Sequence, residues 1–253
     1  MKILISNDDG ILAPGIAALV KAFAGAGHEV FVCAPDSQRS AASHSLTIGR
    51  KLTAREITMD GAARAYAISG TPADCVKLGL TVLCPGAEAV VSGVNHGLNV
   101  GTDVLYSGTV AAAMEGAICG RPAMAVSQTD RRVGYDTAAA LAVQLFETMT
   151  AHPIPPLSVL NLNCPEQEEI RGVVAARLGQ LHYTESYVPE APGSMTYVLS
   201  GEVDQGRLQS EDYTRLMQGY ATVTVVRADM TDHAATEAWE ALICSGFQEN
   251  DAR

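Results

Sequence analysis

The chain has 253 residues and a formal net charge of −11, with 47% hydrophobic and 18% charged residues. That is the composition of a folded globular protein long enough to bury its own core without disulfide staples. The negative balance argues against a stable complex with nucleic acid or binding to anionic membranes; a bound phosphate would need local positive charge from a metal or a helix N-terminus. The N-terminus runs directly into a strand pattern with no leader-like segment. No stretch reaches the roughly 18 to 20 apolar residues of a membrane span, so a cytoplasmic protein is expected. Cys33, Cys75, Cys84, Cys119, Cys164 and Cys244 form no CxxC pair and read as small hydrophobes of a reducing compartment.

Residues 2–6 (KILIS) read as a buried parallel strand, followed by a turn at 7–10 (NDDG). Pro14 opens a helical stretch that Gly25 and Gly27 can close, and 29–33 (EVFVC) is a second strand. A strand–helix–strand unit of this length pairs its strands in parallel. Residues 37–47 are small and polar and read as a loop, and 47–66 holds patches that fit a small hairpin. A helix is expected after Ser69-Gly70-Thr71-Pro72, a strand at 89–92 (AVVS), and a loop from Gly93 to Tyr106. An Ala-rich helix at 109–119, a strand at 123–127, a long helix at 135–149 and a strand at 158–163 follow. Beyond about residue 180 the pattern weakens to strands near 195–199 and 222–226 and a closing helix at 234–242. The whole predicts a doubly wound α/β fold with a mostly parallel sheet and helices on both faces.

Ligands of such sheets bind beyond the carboxyl ends of the strands. There the sequence places Asp8 and Asp9 after the first strand, Arg39 and Ser40 after the second, and Asn95 after AVVS. Two carboxylates, a hydroxyl and an amide oxygen form an all-oxygen set suited to Mg²⁺ or Mn²⁺. An Asp-Asp-Gly turn also serves plainly as a helix cap, but two adjacent carboxylates repel, and a cation relieves that. Ser107-Gly108-Thr109 precedes the Ala-rich helix and offers free N–H groups to an anion; it equally fits an ordinary N-cap. The glycine-rich loop 92–102, with Asn95 and Asn99, lets backbone approach a ligand, but it lacks the GxGxxG spacing of a dinucleotide site. His44 and His96 are candidate proton donors or bases, and Arg39 a candidate phosphate partner; each also fits a solvated loop residue.

Five stretches together resemble the SurE family of survival-protein nucleotidases: 3–10 (ILISNDDG), 34–47, 69–80 (SGTPADCVKLGL), 92–116 and 160–165 (LNLNCP). They span about two-thirds of the chain in family order, and the match loosens from about 181, where GYATVTVV (219–226) departs from the usual pattern. The resemblance implies a Rossmann-like core over about 1–180 within a single SurE-like domain, 1–253. It also implies an extended C-terminal segment, 181–253, that builds a homodimer or homotetramer. It implies one divalent metal per subunit, Mg²⁺ or Mn²⁺, held by Asp8, Asp9, Ser40 and Asn95, with phosphate cradled by Ser107, Gly108 and Thr109. The expected reaction is hydrolysis of nucleoside 5′- and 3′-monophosphates by water, with Asp8, Asp9 and Asn95 central to catalysis. A nucleotide-binding sensor without catalysis is the alternative.

Overall fold

A computed structural model describes residues 1–129, 134–165, 169–184 and 186–246, with residues 244–246 as backbone only. In chain order the strands are β1 (Lys2–Ser6), β2 (Glu29–Pro35), β3 (Ala54–Ile57), β4 (Arg64–Ile68), β5 (Ala89–His96), β6 (Ala123–Gln128), β7 (Ser158–Cys164), β8 (Val173–Ala175), β9 (Ser186–Pro189), β10 (Tyr197–Ser200) and β11 (Ala221–Arg227). The helices are α1 (Pro14–Gly25), α2 (Pro72–Leu78), α3 (Gly108–Ile118), α4 (Asp136–Ala151), α5 (Glu211–Met217) and α6 (His233–Gly246).

Nine strands form one sheet in the order β3-β4-β2-β1-β5-β6-β7-β11-β8. The pairings from β4 through β7 are parallel, while β3 on β4 and β11 on β7 are antiparallel. From β1 the chain winds outward first through β2 and β4, then returns beside β1 as β5 and winds the other way through β6 and β7. The order therefore reverses between β1 and β5, the point where doubly wound sheets open a crevice.

The period-2 alternation of the strands sorts two cores. Ile3 and Ile5 join Ile16, Leu19 and Phe23 of α1 and Ala138, Ala142 and Phe146 of α4. Leu4, Cys33 and Val90 face Cys75 and Val76 of α2 and Val110, Ala113 and Ala117 of α3. Cys33, Cys75, Cys84 and Cys164 are buried and free, and Cys119 is half-buried; the side chain of Cys244 lies outside the described residues. Among the described residues no helix is long and apolar enough to cross a membrane.

The structure departs from the sequence reading at three places. β5 does not end at Ser92: it continues to His96 against β6, with a register shift between Ser92 and Asn95. Gly93, at φ 131°, permits this, because a Cβ there would lie 2.2 Å from the Val126 carbonyl oxygen. The expected loop from Gly93 to Tyr106 is thus strand at its start and a 3₁₀ turn over Gly101–Leu105 at its end. The hairpin within 47–66 exists as β3 and β4, but it is part of the main sheet, since β4 pairs in parallel with β2.

In the C-terminal third, β11 pairs with β7 and buries Ala221, Thr222 and Thr224, whereas β9 and β10 form a separate hairpin with both strands exposed.

α3 rides close to the sheet through Gly116, where a Cβ would meet Val90 Cγ2 at 2.6 Å. Gly116→Ala gains helix propensity of about 1 kcal/mol. Overpacking against Val90 opposes it at ~1–3 kcal/mol. The expected net effect is destabilisation, read as a lower urea midpoint; an unchanged midpoint would mean that α3 lifts freely from β5.

Candidate active site

β1 ends at the switch point, and the turn after it is closed by Asn7, whose Nδ2 donates to the Gly10 carbonyl at 2.9 Å. Gly10 has a φ of 97°, and a Cβ there would press on the backbone of Ser37 at 3.2 Å. This turn lays Asp8 inward, 6% exposed, and leaves Asp9 half-buried.

Three segments of the chain meet at these two residues. The Thr109 hydroxyl donates to Asp8 Oδ1. The Arg39 N–H donates to the Asp8 carbonyl at 2.7 Å. The His96 N–H, at the end of β5, donates to Asp9 Oδ2 at 3.0 Å. Burial, with the neighbouring Asp9 charge adding to it, pushes the Asp8 carboxyl up to about 6 against the Thr109 hydrogen bond that lowers it. A cation beside Asp8 would relieve both the burial and the repulsion.

At the N-terminus of α3, Ser107 Oγ accepts the Val110 N–H at 3.0 Å. The cap that the sequence left open is therefore formed by Ser107, and the Thr109 hydroxyl is committed to Asp8. The N–H groups of Gly108 and Thr109 remain as first-turn donors, which helix geometry leaves without an intrahelical acceptor. Gly108 abuts Asp8 directly: a Cβ there would lie 2.8 Å from Asp8 Cβ and 3.0 Å from Oδ2.

The 37–47 loop is pinned from several sides. Ser43 donates its N–H to the Tyr106 carbonyl at 3.1 Å and its hydroxyl to the Leu105 carbonyl at 2.8 Å. His44 Nε2 lies 2.9 Å from Glu115 Oε2, and Lys77 Nζ donates to Glu115 Oε1 at 2.6 Å. The His44 contact is the main cause that holds the Glu115 carboxyl down to about 2; burial opposes it and Lys77 supports it. Thr47 donates its N–H and hydroxyl to Asp74 at 2.9 and 2.6 Å, and the Thr71 N–H adds a third bond at 2.9 Å. Ala41 and Ser43 stand at φ of 55° and 52°, a left-handed conformation that costs about 1–3 kcal/mol per non-glycine residue and persists only where surroundings over-determine it.

Of the other sequence candidates, Ser40 is exposed and accepts the Gln38 amide at 2.8 Å. Arg39 is exposed and pairs with Asp36 at 3.4 Å. Asn95 commits its Nδ2 to the Gly97 carbonyl at 2.9 Å, which leaves its Oδ1 as an acceptor. The His96 ring is exposed, and it is its backbone that reaches Asp9. Asn99 is buried in a network with Ser127, Asn161 and Asn163 that fixes the loop to the ends of β6 and β7.

Sequence reasoning missed Asp74, Glu115, Asn161, Asn163 and Asp212. Two had a signal: Asp74 completes a Thr-x-x-Asp capping box, and Glu115 is the lone charge in an otherwise small, apolar helix. Among the described residues no three His, Cys, Asp or Glu side chains cluster as metal ligands; a cation here would draw on hydroxyl and amide oxygens besides the two carboxylates. A depression of about 310 Å³ opens beside Asp9, lined by Gly10, Asp36, Gln38 and Tyr135. A larger groove of about 450 Å³, lined by Met1, Pro122 and Leu157, lies at the amino ends of the strands, away from the carboxylates.

Fold and site together define a Rossmann-type α/β protein whose switch point joins paired carboxylates to a helix N-terminus. The chain belongs to the SurE family: the family described as Survival protein SurE matches residues 3–185. The chain is 41% identical over 246 residues to the 5′-nucleotidase SurE of Xanthomonas axonopodis pv. citri, covering 94% of this chain and 93% of that one. It is 42% identical over 245 residues to the 5′-nucleotidase SurE of Aeromonas hydrophila, covering 93% and 95%. The crystal structure of the SurE protein from Aquifex aeolicus matches with a TM-score of 0.83 and 34% identity, over 96% of this chain and 99% of that one.

Burial raises the Asp74 carboxyl, but the hydrogen bonds from Thr47 and Thr71 outweigh it and leave it below its ordinary 3.8. A depressed carboxyl stabilises the fold above its unfolded value and loses that contribution as pH falls through the folded one. Asp74→Ala is expected to cost about 2–3 kcal/mol at pH 7, from the lost cap and charged bonds. In urea melts at stepped pH, the gap to wild type should narrow below pH 3.8. A gap that stays constant into strong acid would show that the charge contributes nothing.

Proposed function

We propose that the chain is a divalent-metal-dependent phosphatase that hydrolyses nucleoside 5′- and 3′-monophosphates to nucleoside and phosphate. The observation that carries this reading is the contact of α3 with Asp8: one point joins a buried carboxylate to the N–H donors of a helix N-terminus. The names of the relatives, 5′-nucleotidase SurE, support the same reaction.

In this reading Asp8, Asp9, Ser40 and Asn95 hold one Mg²⁺ or Mn²⁺ ion. The raised Asp8 carboxyl, the unspent Asn95 Oδ1 and the all-oxygen donor set fit such an ion. When bound, the metal supplies positive charge toward a phosphate oxygen and makes water a better nucleophile. Thr109 orients Asp8, and the His96 N–H orients Asp9. The N–H groups of Gly108 and Thr109 bind the remaining phosphate oxygens in the turn that Ser107 caps. The water oxygen bonds to phosphorus as the ester P–O bond breaks, and the proton that the water gives up goes to the oxygen of the leaving nucleoside. The four buried free cysteines suit a reducing cytoplasm.

Phosphate release from a panel of nucleoside monophosphates, with Mn²⁺, Mg²⁺ or EDTA, tests the reading. Release should require metal and fall roughly 100-fold or more in Asp8→Asn and Asp9→Ala, both still folded. A folded, metal-supplied wild type that binds nucleotide but releases nothing would be a sensor and not an enzyme.

A homodimer or homotetramer built through the C-terminal segment belongs to the same reading. Its support is apolar exposure: Tyr187 and Tyr197 on the hairpin, Trp239, Leu242 and Ile243 on α6. Trp239→Asp with Leu242→Asp should lower the mass measured by light scattering and leave the circular dichroism spectrum unchanged. A variant of unchanged mass would remove α6 from the interface.

A further inference from the structure

Glu115 is a carboxylate with a side chain only 3% exposed, in a helix otherwise made of small and apolar residues. Burying a charge there is unfavourable unless it is paired, and its two basic partners come from different elements: His44 from the 37–47 loop and Lys77 from α2; the Cys119 thiol, one turn on at the end of α3, adds a weak contact at 3.8 Å. The loop segment that Glu115 holds is the strained one, with Ala41 and Ser43 both in the left-handed region. Ser40 immediately precedes this segment, and Arg39, one residue earlier, is bonded to the Asp8 carbonyl. Ser43 bonds to the carbonyls of Leu105 and Tyr106, just before the cap of α3. The loop is thus fastened at one end to Asp8 and at the other to the helix whose N-terminus lies against Asp8.

We propose that Glu115 is a positioning residue for the metal site: through His44 it locks the strained 37–47 loop to α3, which holds Ser40 in register with Asp8. Glu115 touches neither substrate nor metal. Its effect passes through one hydrogen bond, 2.9 Å long, to a loop residue four positions from Ser40. Lys77 satisfies the second carboxylate oxygen, so the carboxylate stays fixed when the loop moves. The inference rests on the reading of Ser40 as a metal ligand.

Two readouts test it, neither of which depends on turnover. Amide hydrogen exchange over residues 39–47 reports the loop in metal-free protein, and calorimetric titration with Mn²⁺ reports the site. Glu115→Ala should speed exchange across the loop and weaken Mn²⁺ binding on the order of tenfold, as expected for loss of a charged hydrogen bond. At saturating Mn²⁺ its kcat should return toward wild type. Glu115→Gln keeps the shape and one bond to each partner, and should restore both readouts. His44→Ala cuts the loop side alone and stands in if Glu115→Ala does not fold. Asp8→Asn is the reference: it should abolish Mn²⁺ binding and leave loop exchange slow. Glu115→Ala with wild-type exchange, or with a loosened loop and wild-type Mn²⁺ affinity, overturns the proposal. A wild type that binds no Mn²⁺ overturns the metal reading instead, and loop exchange alone then decides whether Glu115 is the lock.

Discussion

Gly108 approaches Asp8 so closely that no side chain fits between them, and the rest of the site is arranged around that contact. It holds because Asp8 is turned inward by the Asn7–Gly10 turn and because Thr109, the next residue of α3, bonds the same carboxylate. The carboxylate therefore has a neutral donor beside it, and burial raises its proton affinity despite that hydrogen bond. An acidic chain can bind an anion at such a point because the helix N–H groups act locally, whereas the net charge of −11 is spread over the whole chain.

The close approach depends in turn on the spacing of backbone layers, set by missing side chains. A Cβ on Gly15 would lie 2.0 Å from the Val94 carbonyl oxygen, and one on Gly93 would lie 2.2 Å from that of Val126. With Gly116 over Val90, these contacts draw α1, α3 and β6 onto β5, the strand that carries Asn95 and His96. Protein interiors relax little when such contacts are altered. The geometry of the carboxylates is thus fixed by the core beneath them as well as by the loops around them.

Much of this was legible in the sequence where cause and effect lie close along the chain. The alternation of 2–6, 14–25 and 29–33 announced the parallel unit, and Asp8 and Asp9 drew notice because they follow a buried strand. The continuation of β5 was hidden, because Gly93 and Asn95 carry the composition of a loop and only the neighbouring β6 turns them into strand. Partners distant in sequence were hidden for the same reason. Thr47 meets Asp74 across 27 positions, His44 meets Glu115 across 71, and Gly101 meets Asp212 across 111. Periodicity cannot report such pairs. His44 and Asn99 likewise face partners that no local pattern names: Glu115 for the first, Ser127 and Asn163 for the second.

The Gly101–Asp212 bond ties the C-terminal third to the site. Asp212, on α5, is fully buried and accepts the Gly101 N–H at 2.8 Å, and Tyr183 bonds Asp103 two residues on. The Asn99 network fixes the same loop from the side of β6 and β7. Residues 99–103 are therefore gripped by the sheet on one side and by the chain beyond 180 on the other, and they lead straight into Ser107. The strands β9 and β10 and the helix α6 are exposed, whereas β11, which lies between them in sequence, pairs with β7, and α5 buries Asp212 and Leu216. Asp212 and Tyr183 therefore tie the less regular third of the chain to the turn that leads into the helix cap.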